Sequence, residues 1–113
     1  MATANARTDD ACLKKCAAEA FNKAWEYLDH TDRDAEADDA MLAAAFAQRH
    51  LRGRVGGPLE IERAEWQVSR VCAVLGDRGR LEDHRARAIA ACAAIAEKGD
   101  REYTESQIAT IPR

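Results

Sequence analysis

Four cysteines and three histidines are the side chains in this sequence best suited to metal binding or nucleophilic chemistry. Cys12 and Cys16 lie four residues apart, so on a helix their two thiols would share one face and offer two ligands to zinc or copper. A tetrahedral site needs two more ligands, and Cys72 and Cys92 each stand alone. We therefore interpret all four as reduced, small apolar side chains. A metal- or thiol-dependent protein using Cys12 and Cys16 remains an alternative.

The three histidines do not form an evident catalytic pair. Asp29 precedes His30 and Asp83 precedes His84, but adjacent residues on a helix point about 100° apart and do not face each other. We expect His30, His50 and His84 to lie at the surface or at helix ends. The sequence thus predicts no catalytic residue, no metal ligand and no cofactor. An enzyme of unknown chemistry, in which His50 or His84 works with a carboxylate, is kept as a further alternative.

Arginines cluster around the middle of the chain, at Arg49, Arg52, Arg54, Arg63 and Arg70. Such a stripe could contact phosphates or an acidic peptide. The whole chain, however, has 17 basic and 20 acidic residues and a formal net charge of -3, without the positive excess of most nucleic-acid-binding proteins. We therefore expect these arginines to neutralise nearby acids and expect no nucleic-acid or membrane partner. The acids in question are Glu60, Glu62, Glu65 and the acidic stretch 32–39.

Composition favours helices strongly. Alanine, the best helix former, fills 25 of the 113 positions, and there are only six glycines and two prolines. Apolar residues recur at three- and four-residue spacing in four segments, with a short polar segment at 100–108 that could add a last helix. Because the connections are short, neighbouring helices should run antiparallel. The predicted fold is all-α, a single domain over 1–113 built of antiparallel helical hairpins: four main helices and a short C-terminal one.

Capping residues predict where these helices begin and end. The first should begin after an N-cap at Thr8 and run from about 9 to about 29, and the second should follow a cap at Thr31 or Asp34. Glycines mark the predicted ends: Gly53 for the second helix, Gly76 for the third and Gly99 for the fourth. Pro58 suits the first position of the third helix. Segments 1–7 and 109–113 are predicted to be flexible tails.

The start of the chain, MATANARTDD, has no apolar segment typical of an export signal, and no stretch is long and apolar enough for a membrane span. We therefore expect a cytoplasmic protein.

The stretch AEWQVSRVCAVLGDRGRLEDHRARAIAAC resembles one tetratricopeptide-repeat hairpin. Trp66, Val68, Leu75, Gly76 and Ala88 fill most of the positions typical of such a repeat. The sequence departs from the pattern in three ways. A serine at 69 replaces the usual glycine, a leucine at 81 replaces a small alanine, and no proline closes the unit. The stretch GGPLEIERAEWQVSRVCAVLG and the ending ATIP also resemble small, uncharacterised bacterial proteins of tetratricopeptide-like fold, of which this chain would be an abbreviated form.

That resemblance implies a scaffold that binds proteins or peptides. Two hairpins offer only a short binding face, and repeat arrays usually need about three units to be stable, so self-association into a homodimer would complete the missing surface. We therefore predict a non-enzymatic module for protein–protein interaction or self-association. Large side chains dominate interface energies, which makes Met41, Phe46 and Trp66 the candidate contact residues, although each is equally well explained as core.

Overall fold

The computed structural model describes residues 2–113, with side chains from residue 9 onward. It consists of five α-helices: α1 (Ala2–Leu28), α2 (Ala35–Val55), α3 (Pro58–Leu75), α4 (Arg78–Ala93) and α5 (Lys98–Ile108). The predicted all-α class, with four main helices and a short fifth, is confirmed.

Three of the predicted helix ends are found where the capping chemistry placed them. Asp34 caps α2 by accepting a hydrogen bond from the backbone N–H of Ala37 (2.8 Å). Pro58 is the first residue of α3. Gly76 ends α3 with φ at 76°, the left-handed conformation that a residue with a side chain rarely adopts.

Three other boundaries were predicted wrongly. The first helix begins at Ala2, so position 8 lies inside α1; the side chain of Thr8 is outside those described. Gly53 lies within α2, which runs on to Val55 because Gly56 supplies the cap, its backbone N–H donating to the carbonyl oxygen of Arg52. The fourth helix already ends at residue 93, and Gly99 belongs to the first turn of α5.

The helices pack as two antiparallel hairpins, α1 with α2 and α3 with α4, joined by contacts between α2 and α3. α5 folds back onto α4 and α3, and α1 also contacts α3. α3 therefore touches every other helix and carries much of the core. The core cluster consists of Ala24, Met41, Ala45, Val68, Val71, Cys72, Leu81 and Ile111. Because α3 has neighbours on nearly all sides, several of its polar residues are buried too. The polar side chains of α3 that could act chemically therefore lie inside the protein.

The end of the chain is packed against this core. Ile111 is 2% exposed, and the hydroxyl of Thr110 accepts hydrogen bonds from Trp66 and Arg70. The prediction of a flexible tail at 109–113 is therefore wrong, because Ile111 buries apolar surface that would otherwise face water. None of the described helices has the length and apolar character that a membrane crossing requires.

Candidate functional site

The three predicted contact residues do not form a common exposed border. Met41 is fully buried in the core, so its prediction as a contact residue is wrong: α2 turns it inward between the hairpins. Phe46 is partly buried, and its ring meets that of His84 edge-on with centroids 5.5 Å apart. Trp66 is also partly buried, lies 5.2 Å from the ring of Trp25 and donates its Nε1–H to Thr110 (3.0 Å). Phe46 and Trp66 thus pack mainly within the molecule.

A buried network centred on Glu65 joins three successive helices. The Glu65 carboxylate, 3% exposed on α3, accepts a hydrogen bond from Nε of Arg49 on α2. Its other oxygen lies 2.7 Å from Nδ1 of His84 on α4. Because a carboxylate only accepts, Nδ1 of His84 is the donor. The prediction that His84 lies at the surface is wrong; His30 and His50 are exposed, as predicted.

A histidine oriented by a carboxylate is the arrangement of a general base, and the enzyme alternative required folding to create such a pair. Here the pair is enclosed: His84 is 5% exposed and its ring packs against Phe46. A cleft of about 350 Å³ beside the network is lined by Arg49, His50 and Glu65, but the imidazole of His84 does not line it. We therefore interpret the network as a clamp that holds α2, α3 and α4 together.

A second buried carboxylate, Glu62, lies one turn before Glu65 and faces α5. When the side-chain amide of Gln107 is oriented with its nitrogen towards Glu62, that nitrogen lies 2.9 Å and 3.2 Å from the two carboxylate oxygens of Glu62. Burial raises the pKa of Glu62 to about 7, although the nearby Arg63 acts in the opposite direction. In the opposite amide orientation a protonated Glu62 can donate to the Gln107 carbonyl. Either state ties α3 to α5.

The cysteines divide into two exposed and two buried thiols, all unbridged. Burial raises the pKa of Cys72 to about 11, which makes this thiol a poor nucleophile. Cys92 is also buried, with Sγ 3.0 Å from the hydroxyl of Thr104. Cys12 and Cys16 are exposed on α1, so the interpretation of these two as small apolar residues of the core or its boundary is wrong. Among residues with described side chains, no three His, Cys, Asp or Glu side chains converge on one point as metal ligands.

The most exposed large apolar side chains are elsewhere than predicted. Val74, Ile89 and Tyr103 are 50%, 51% and 57% exposed. Ile89 lies at a groove of about 410 Å³ between α4 and α5, which we call the α4–α5 groove. Its lining residues are Ile89, Cys92, Ala93, Arg101, Glu105 and Ile108. Sequence reasoning missed this surface because Ile89 lies on the polar side of α4, beside Glu82 and Arg85.

The chain was compared with protein-family models, curated proteins and solved structures, and none of them matches it. The resemblance to tetratricopeptide repeats therefore stays a prediction from the residues that carry it.

Proposed function

We propose that this protein is a non-enzymatic interaction module of tetratricopeptide-like type that associates with a second copy of itself through the α4–α5 groove. The observation that carries the proposal is Ile89, a large aliphatic side chain that is 51% exposed at the α4–α5 groove. Burying such a side chain fully is worth roughly 1.5–3 kcal/mol, so a half-exposed one leaves part of that free energy for association. The four unbridged cysteines accord with a reducing, cytoplasmic location.

The position of the groove in the fold supports this proposal. α2 and α3 cover each other between the two hairpins, whereas the far side of α4 is covered only in part by α5. A stack of helical hairpins ends in such an uncovered side, and a second chain can cover it as a third hairpin would.

The charges beside the groove favour a second copy of the same chain. A two-fold symmetric interface brings the same surface of both subunits together, so the surface must be complementary to itself. Arg101 and Glu105 lie one turn apart on α5 and line the same groove as Ile89. When two α5 helices meet antiparallel, Arg101 of each can pair with Glu105 of the other.

Substitution of Ile89 by glutamate tests the proposal. We expect the unmodified protein to sediment as a dimer at tens of micromolar concentration and Ile89→Glu to sediment as a monomer, because a carboxylate buried in the groove would be unpaired. Val74→Glu is the matched control, since Val74 is 50% exposed but does not line the groove; this variant should remain a dimer. Circular dichroism checks that both variants are folded. A monomeric unmodified protein, or equal effects of the two substitutions, contradicts the proposal.

The exposure of both α1 thiols favours a second candidate function, a metal- or thiol-dependent protein using Cys12 and Cys16. Two thiols on one helix supply only half of a tetrahedral site, so this function requires ligands from a second molecule. Metal analysis of the purified protein together with a thiol titration tests it. A bound zinc or copper ion together with two unreactive thiols supports the candidate. Freely reactive thiols at Cys12 and Cys16 without bound metal contradict it, whether or not the two buried thiols also react.

A further inference from the structure

A small basic cleft lies at the end of the molecule where the α2–α3 turn meets α1. It has a volume of about 210 Å³, and its charged lining residues are Lys14, Arg52, Arg63 and Glu60. Three positive charges against one negative charge leave a clear local excess of positive charge in a chain whose net charge is negative. Gly57, the N-cap of α3, provides no side-chain cap, so the positive end of the α3 dipole adds to this excess.

The two arginines of this cleft are close to each other and are not neutralised by an ion pair. Both guanidinium groups lie over the ring of Phe21, with central carbons 4.3 Å (Arg52) and 5.6 Å (Arg63) from the ring centroid. Arg49, by contrast, is paired with Glu65. Among the residues whose side chains are described, no carboxylate oxygen lies within 4.0 Å of either cleft guanidinium, and segment 1–8 contains no Asp or Glu. The predicted pairing of an arginine with Glu65 is found at Arg49, whereas Glu60 acts on Arg52, and Glu62 on Arg63, through its charge and without an ion pair.

Both guanidinium groups also contain a donor that is buried without a partner: one terminal nitrogen of Arg52 and Nε of Arg63. Burial lowers the pKa of Arg52 and the charge of Arg63 lowers it further, while the charge of Glu60 acts in the opposite direction. Buried donors without partners and neighbouring like charges are both unfavourable, and a bound anion would relieve both at once.

We propose that this cleft binds a doubly charged oxyanion of the phosphate type, held by Arg52 and Arg63 with Lys14 at the rim. Guanidinium groups match the oxygens of a phosphate with charge-assisted hydrogen bonds. The volume corresponds to about seven water molecules, which suits a phosphate group with a short substituent and falls below that of most drug-sized ligand sites. This inference is independent of the proposed self-association, because the cleft and the α4–α5 groove share no lining residue.

Thermal unfolding of the whole protein in phosphate or chloride at equal ionic strength tests the site. We expect phosphate to raise the melting temperature with a saturable concentration dependence and chloride to have no such effect, because only a ligand that binds the folded state stabilises it in this way. Calorimetric titrations with inorganic phosphate and with phosphoserine distinguish the sources: tighter binding of phosphoserine assigns a phosphorylated side chain, and equal binding assigns free phosphate. Equal effects of phosphate and chloride would overturn the proposal.

Two variants and a control locate the effect. Arg52→Met and Arg63→Met each remove one charge with little loss of bulk, and each should weaken phosphate binding about tenfold or more. Arg63→Met should also melt at the same or a higher temperature in chloride, since it removes the repulsion of Arg52. Arg54→Met is the control, because Arg54 is exposed and lines the neighbouring cleft. Variants that respond to phosphate as the unmodified protein does would show that these arginines only pack on Phe21.

Discussion

Substituting Glu62 by glutamine should make the protein more stable above neutral pH. The folded protein binds the Glu62 proton with a pKa of about 7, against an ordinary value of 4.5, because burial on α3 penalises the ionised carboxylate. Below pH 4.5 the group is protonated in both the folded and the unfolded protein. Between 4.5 and about 7 only the folded protein holds the proton, so stability falls as the pH rises.

The size of this effect follows from the separation of the two pKa values. Each unit of difference corresponds to about 1.4 kcal/mol, so the interval from 4.5 to about 7 gives a loss of about 3 kcal/mol. Glutamine resembles the protonated carboxyl group in shape and can donate to the carbonyl oxygen of Gln107. Glu62→Gln should therefore match the unmodified protein near pH 4.5 and exceed its free energy of unfolding by up to about 3 kcal/mol at pH 8.

Urea unfolding followed by tryptophan fluorescence, from pH 4.5 to 8.5 at constant ionic strength, measures this difference. Subtracting the free energy of unfolding of the unmodified protein from that of the variant at each pH removes the contributions of the other acids. Glu19→Gln is the control, because Glu19 is exposed on α1 and its substitution should give no comparable gain in stability as the pH rises. A flat curve for Glu62→Gln, or a variant less stable than the unmodified protein at pH 8, would refute the reasoning.

Three further predictions concern the turn between the hairpins, the last turns of α2 and the buried network. A Cβ at Gly56 would lie 2.8 Å from the carbonyl oxygen of Arg52 and 2.6 Å from Cβ of Glu60, so Gly56→Ala should lower the melting temperature. Gly53→Ala, inside α2 with nothing within 4 Å of the new atom, should instead stabilise the protein by about 0.5–1 kcal/mol. His84→Ala should lower the free energy of unfolding in urea by about 3 kcal/mol, because it removes one of the two partners of the buried Glu65 carboxylate. A loss below about 0.5 kcal/mol, typical of an exposed histidine, would contradict the interpretation of this network as a clamp.

The helices were predictable because they depend on local chemistry. The carboxylate of Asp34, the ring of Pro58 and the missing side chain of Gly76 act within one turn of chain, and each marks the boundary that the sequence predicts. Gly53 and Gly99 were misread because glycine at a helix end is favoured but not required, and tertiary packing decides whether the helix continues.

The buried polar network was not predictable from one helix at a time. The apolar spacing of α3 indicates one buried face, whereas the helix has neighbours on nearly all sides. Glu62 and Glu65 therefore lie inside, each with a partner from another helix, Gln107 and His84 respectively. Those partners are far away in sequence, so spacing along one helix holds no sign of them.

The pairing of the two cleft arginines, in contrast, leaves a signal in the sequence. In an antiparallel helix pair, residues about equally far from the turn lie opposite each other. Arg49 and Glu65 are each eight residues from Gly57, and this pair of opposite charges is in contact. Arg52 and Arg63 are five and six residues from Gly57, so the same register brings two like charges together. Once the position of the turn is known, two like charges at matching distances from it mark a place where the folded chain is destabilised by repulsion that an anionic ligand would remove.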